Sequence, residues 1–314
     1  MSDKCLKNGI STNEASSFDF DSIAIQIEDS VKSGQTSSEF IEGIVKASDA
    51  EKKILPEIDY KAFLGLGLKK TKDIYEQILE LRTYFGIRAL TDIPRVSHMA
   101  LRRGRSKNFN SYALAGWLRK GEVEAWSLDL PAFCRQKLED AVPKLRALSY
   151  KKPDSFFQEA TRMLHNAGVG MIGVKNPKNT SVFGAARMIG DKTIMQVSDY
   201  QKRYDLFWFT LFHEIGHLLL HDIQTTECIF FGQDIDAPLE NEANEFASDT
   251  LIDKAEYGIF VANGDFSLPS ISDFANRVKA HRSIVCGRLA YDKHVEYPRV
   301  SSLRDGFSLP KPSK

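Results

Sequence analysis

Residues 207–222 read FWFTLFHEIGHLLLHD. The run is apolar all round, which predicts a buried helix rather than a surface one. His213 and His217 are four residues apart, so at 3.6 residues per turn both imidazoles share one face, with Glu214 beside them. An HExxH on a helix can hold one divalent cation between its histidines and keep the glutamate as a base. The plainer reading is a pair of satisfied core histidines. Burying two imidazoles and a carboxylate without partners is costly, which weighs against it. Gly216 adds a second clue. Glycine costs about 1 kcal/mol against alanine in a helix, so its presence predicts that something approaches the helix closely there.

A catalytic zinc needs a third protein ligand and one open position. The next helical stretch, ENEANEFASDTLI at 240–252, offers Glu240, with Glu242 as its rival, pointing to a different side of the helix. Asn244 shares the face of Glu240 and can support a ligand histidine from behind. Asp249 is a further supporting candidate. His221 lies four residues past His217. It can back a ligand, donate a hydrogen bond to a developing oxyanion, or simply interact with the dipole at the helix end. His98, His165, His281 and His294 stand alone and are assigned nothing. No GxSxG and no GxxxxGK[ST] occurs, so neither a hydrolase elbow nor a phosphate loop is supported.

The whole chain sets the frame. It has 314 residues, 42% hydrophobic and 27% charged, with 42 basic and 42 acidic side chains. That is an ordinary globular composition with ample core, and zero net charge excludes a wholly basic nucleic-acid binder. The charge is unevenly spread. Residues 1–60 carry a net −6 and residues 61–150 a net +8. Arg102, Arg103 and Arg105 concentrate the basic charge, either as a solvated face paired with the acidic leader or as a phosphate contact. No apolar run is long enough to span a membrane, the first residues lack a secretory core, and four scattered cysteines suit free thiols in a reducing cytoplasm.

Periodicity divides the chain into an acidic segment, 1–60, with one or two short helices; a helical, basic domain, 61–150; and a domain over 151–314. GQTSSEFIEGIVKAS at 34–48 has a faint helix-turn-helix flavour but lacks a basic recognition helix. Helices are predicted over 69–86, 110–120, 130–148, 155–167, 204–220, 239–252, 270–280 and 284–291. Three strands are predicted over 168–174, 182–189 and 192–197. The second and third are the expected edge for an extended ligand, an 18-residue loop follows the apolar helix, and the tail from Gly306 is expected to fray. The fold class is therefore α+β, mostly helical, with a small three-stranded sheet packed on the HExxH helix.

Several stretches resemble the ImmA/IrrE family of bacterial and phage metallopeptidase domains. They are FWFTLFHEIGHLLLH at 207–221, ENEANEFASDTLI at 240–252 and SISDFANRVKAHRSIVCGRLAYD at 270–292. NSYALAGWLRKGEVEA at 110–125 and SVFGAARMIGDKTIMQVS at 181–198 are similar to the version fused behind a helix-turn-helix in antitoxin-like regulators. The likeness covers roughly residues 61–295. It implies a minimal, gluzincin-like zincin with Zn2+ on His213, His217 and a downstream glutamate, and Glu214 as general base. It also implies cleavage of a helix-turn-helix repressor in a stress, phage-defence or mobile-element response. The chain departs from the fused regulators in having a short acidic leader where they carry a clear helix-turn-helix, which leans towards a stand-alone peptidase. The competing expectation is a non-enzymatic antitoxin-like regulator or sensor that uses the same fold.

Overall fold

The computed structural model describes residues 46–93, 109–151, 156–221 and 238–310, and the backbone of 228–230. Most of the acidic leader, and the basic stretch with Arg102, Arg103 and Arg105, lie outside the described residues. The helices are α1 (Asp49–Ile58), α2 (Ile74–Phe85), α3 (Ser111–Trp126), α4 (Arg135–Leu148) and α5 (Phe157–Asn166). Strands β1 (Val169–Gly173), β2 (Gly184–Ile189) and β3 (Lys192–Val197) follow, then α6 (Tyr204–Leu220) and β4 (Cys228–Phe230). The chain continues with α7 (Pro238–Leu251), α8 (Lys254–Asn263), α9 (Leu268–Arg277) and α10 (Arg282–Tyr291). None of these helices is long and apolar enough to cross a membrane.

The fold is α+β, as expected, and the three predicted strands form. A short fourth strand joins them, giving the order β1-β3-β2-β4. β1 runs parallel to β3, and β2 is antiparallel to both β3 and β4. This corrects the expected edge. β2 and β3 are interior, and the edges among the described residues are β1 and β4. The sequence hid β4 because three residues between polar stretches give too few alternations to register as a strand.

Both faces of the sheet are covered. Val169, Met171, Ala186, Met195 and Val197 pack into a core with α6, α4 and the C-terminal helices. Ile172, Ala185, Ile189 and Ile194 point the other way, into a second core built on α1, α2 and α3. Helix α3 seats on the sheet through polar contacts as well: the Trp117 Nε1–H donates to the Val174 carbonyl at 3.0 Å, and Gln196 Nε2 donates to the Trp117 carbonyl at 2.6 Å. Helix α3 runs past the expected end at residue 120, and Gly121 lies inside it. A Cβ there would come within 1.9 Å of Gln196 Oε1, so the missing side chain is what lets the helix reach the sheet.

Two further expectations are corrected. Helix α8 went unpredicted because it is weakly amphipathic. Its signal is at the ends: Asp253 accepts from the N–H groups of Ala255 and Glu256, and Gly264 closes it in the left-handed conformation. The tail from Gly306 does not fray before residue 310. Phe307 and Leu309 are buried, and Phe307 N–H donates to the Lys202 carbonyl.

Candidate metal centre

Helix α6 places its histidines by burial. Its apolar side chains leave almost no polar face, so the whole helix enters the core and carries His213, Glu214 and His217 with it. It ends at Leu220, and His221 has extended backbone. Helix α7 lies antiparallel against α6. Gly216 explains how close it comes: a Cβ there would sit 3.2 Å from the Ala243 Cα and 3.2 Å from Phe246. The neighbour that this glycine predicts is therefore helix α7.

That approach brings Glu240 onto the histidines. The His213 and His217 Nε2 atoms are 3.0 Å apart, and the Glu240 carboxylate reaches them at 3.2 Å and 3.5 Å. All three residues are buried. A tetrahedral zinc with ligand bonds of about 2.0–2.1 Å separates its ligand atoms by roughly 3.3 Å. The observed spacings match that edge length, and two imidazoles with one carboxylate are a known catalytic-zinc donor set. The residues present thus fit such an ion.

The outer nitrogens are also held. His213 Nδ1 lies 2.9 Å from Asn244 Oδ1, and His217 Nδ1 lies 2.9 Å from His221 Nδ1. His221 Nε2 in turn lies 3.2 Å from Glu242 Oε2. If both Nε2 lone pairs face a cation, each ligand histidine carries its proton on Nδ1. His213 then donates to the Asn244 oxygen, and His217 donates to His221, which donates its own Nε2 proton to Glu242. The structure therefore brings Glu240, rather than Glu242, to the histidine pair. It puts Glu242 at the far end of a carboxylate–histidine–histidine chain. Asp249 lies apart from the three donors, in a surface depression with Leu220, Glu242 and Glu245.

Glu214 points away from this relay, towards β2. It is fully buried and faces the Ala186 backbone of β2, with no side-chain hydrogen-bond partner among the described residues. Burial pushes its carboxyl well above the usual range, and the Glu240 charge adds to the push. Gly184 makes room for it, since a Cβ there would lie 2.6 Å from Glu214 Oε1. This contribution was invisible in the sequence, because nothing local says which strand meets the helix. Burial also holds the His213 imidazole below its ordinary value, against the opposing pull of Glu240. Burial alone would raise Glu240, but hydrogen bonds from His213 and His217 outweigh it and draw the carboxyl down to about 2. Burial thus decides the shifts of Glu214 and His213, and hydrogen bonds decide that of Glu240.

No curated protein matches the chain. Against family models, residues 178–289 match the IrrE N-terminal-like domain. The matched stretch runs from the turn before β2 into the last turn of α10, so it spans every donor described above and leaves α1 to α5 and β1 outside. Over residues 178–289 the chain is thus similar to the IrrE N-terminal-like domain of the Peptidase_M78 family, and the buried group of His213, His217 and Glu240, which could hold a metal ion, lies within that stretch.

Proposed function

We propose that this chain is a zinc-dependent endopeptidase that cuts a regulatory protein in the cytoplasm, with a helix-turn-helix repressor as the substrate class. The observation that carries the reading is Glu214: a fully buried carboxyl with no side-chain partner among the described residues, next to a donor set that fits zinc. A structural site would have no use for it. The substrate class follows from the ImmA/IrrE resemblance.

His213, His217 and Glu240 would hold the ion. When bound, zinc supplies Lewis acidity, which polarises a carbonyl and acidifies water. Glu214 takes the proton released as water attacks the peptide carbonyl and passes it to the departing amine nitrogen, so it ends the cycle as it began. The Glu214 carboxyl, drawn down by a bound cation, starts ionised, and its burial favours keeping the proton once it is taken. Asn244 and His221 fix the ring orientations of His213 and His217, which keeps both Nε2 atoms on the ion. β4 pairs with Gly184–Ala186, beside Glu214, and offers its outer backbone edge to an extended substrate.

The first test is metal content by mass spectrometry. About one zinc per wild-type chain and little in His213→Ala is expected. Repressor cleavage by wild type and none by Glu214→Gln, with its zinc retained, completes it. A folded wild type that takes up no zinc refutes the reading. A zinc-loaded chain that cuts nothing, but binds an operator through Arg102, Arg103 and Arg105, is the regulator instead.

A further inference from the structure

The stripe that carries the donors runs on past them. Along α6, His217 and His213 are followed towards the N-terminus by Phe209 and Leu206, at four- and three-residue steps on one face. Along antiparallel α7, Glu240 and Asn244 are followed by Ser248 and Leu251. Phe209, Leu206, Ser248 and Leu251 line a cavity of about 90 Å3, which is completed by Phe183 ahead of β2 and Ile284 of α10. The Phe209 ring lies 6.2 Å from the His213 imidazole, centroid to centroid. The cavity therefore begins one helical turn from a metal donor. Phe183 leads directly into Gly184, whose missing side chain accommodates Glu214, so cavity and proton carrier share a wall.

The lining is almost entirely hydrocarbon, and the charged groups at its margin are committed. Arg203 Nε donates to Asp205 at 3.2 Å, and Arg288 Nε donates to Asp292 at 2.7 Å. A charged ligand would have to break one of these pairs to gain a partner. Size narrows the choice further. An apolar cavity of about 150 Å3 takes a benzene ring, so this one suits a smaller, aliphatic group.

We infer that the cavity is a peptide side-chain subsite, which receives one leucine-, isoleucine- or methionine-sized residue beside the bond that is cut. This rests on the peptidase reading, because the metal donors one turn away are what give the cavity a substrate.

Binding can be measured apart from cleavage. The full-length Glu214→Gln protein is titrated by NMR with N-acetyl-leucinamide, N-acetyl-tryptophanamide and N-acetyl-aspartamide, following the Phe209 ring and Leu251 methyl signals. Saturable shifts with the leucine probe are expected, with at least tenfold weaker response to the other two. Ser248→Phe, which plugs the cavity from α7, should abolish them. Leu251→Ala should instead admit the tryptophan probe, and it keeps the inference testable if the plugged variant does not fold. Equal response to the leucine and aspartate probes, or undiminished leucine binding in a folded Ser248→Phe, overturns the inference. A peptide library cut by wild type should show leucine, isoleucine and methionine enriched at one position flanking the scissile bond. Cleavage without that enrichment overturns the inference and leaves the peptidase reading intact. Leucine-probe binding in a zinc-loaded wild type that cuts no peptide supports the cavity as an aliphatic side-chain site and overturns the peptidase reading.

Discussion

Glu214 carries a burial cost that the Ala186 backbone relieves only in part. Its folded-state carboxyl is raised above the ordinary 4.5, so the folded metal-free chain keeps a proton that the unfolded chain releases. Its contribution to stability is fully present below pH 4.5 and is lost as pH rises through the folded value, by up to about 1.4 kcal/mol per unit. Glu214→Gln removes that titration. The variant should gain thermal stability over metal-free wild type, by more at pH 8 than at pH 5. Parallel pH profiles in scanning calorimetry would show that Glu214 does not hold its proton. His213 has the opposite sign. Its folded value is depressed below 6.5, so the unfolded imidazole takes up a proton first and stability falls as pH drops below 6.5. With Glu240 drawn down to about 2, two of the three donors resist protonation at mildly acid pH. Zinc measured after equilibration across pH 5–8 should stay bound to below pH 6.5. The relay behind His217 is testable in the same assay. His221→Ala should weaken zinc binding about 10–100-fold, and unchanged affinity would leave His221 as a helix-end residue.

Between elements, two glycines set the distances at the site. Gly216 lets α7 approach α6, and Gly184 lets β2 accept the Glu214 side chain. Gly184→Ala puts a methyl group 2.6 Å from Glu214 Oε1 and 2.7 Å from Thr210 Cγ2, so a neighbour must shift. Overpacking of this kind costs typically about 1–3 kcal/mol. The expected signature is a lowered melting temperature with activity lost disproportionately, because Glu214 must move while the metal donors need not. Equal stability and activity in the variant would show that β2 yields. Element ends explain most boundary differences. Helix α4 starts at Arg135 rather than near residue 130, and the Cys134 N–H just before it donates to the Ala167 carbonyl.

The molecule as a whole is two cores separated by one sheet. Helix α3, outside the matched family stretch, covers the face opposite α6. The half that carries His213, His217 and Glu240 therefore depends on the N-terminal helices for one side of its own sheet. Leu114, fully buried in the second core, should cost about 2–5 kcal/mol when truncated to alanine. Hydrogen exchange at the α6 amides should accelerate in that variant, and denaturation should remain a single transition. Two transitions, with α6 exchange unchanged, would show that the halves fold independently.

The sequence by itself determined what is periodic or chemically singular. The apolar helix with His213, Glu214 and His217 was legible because helical spacing alone puts the two imidazoles on one face. The three longer strands and the α+β class were legible from a change of period. The choice between Glu240 and Glu242 was not, because two positions two residues apart on one helix differ only in direction, and direction is set by how α7 docks. Also hidden were the contact of His221 with Glu242 on α7, the pairing of β4 on β2 and the cavity beside His213. Each of these depends on residues far apart in the chain meeting in a packed core, and local spacing carries no record of which partners meet.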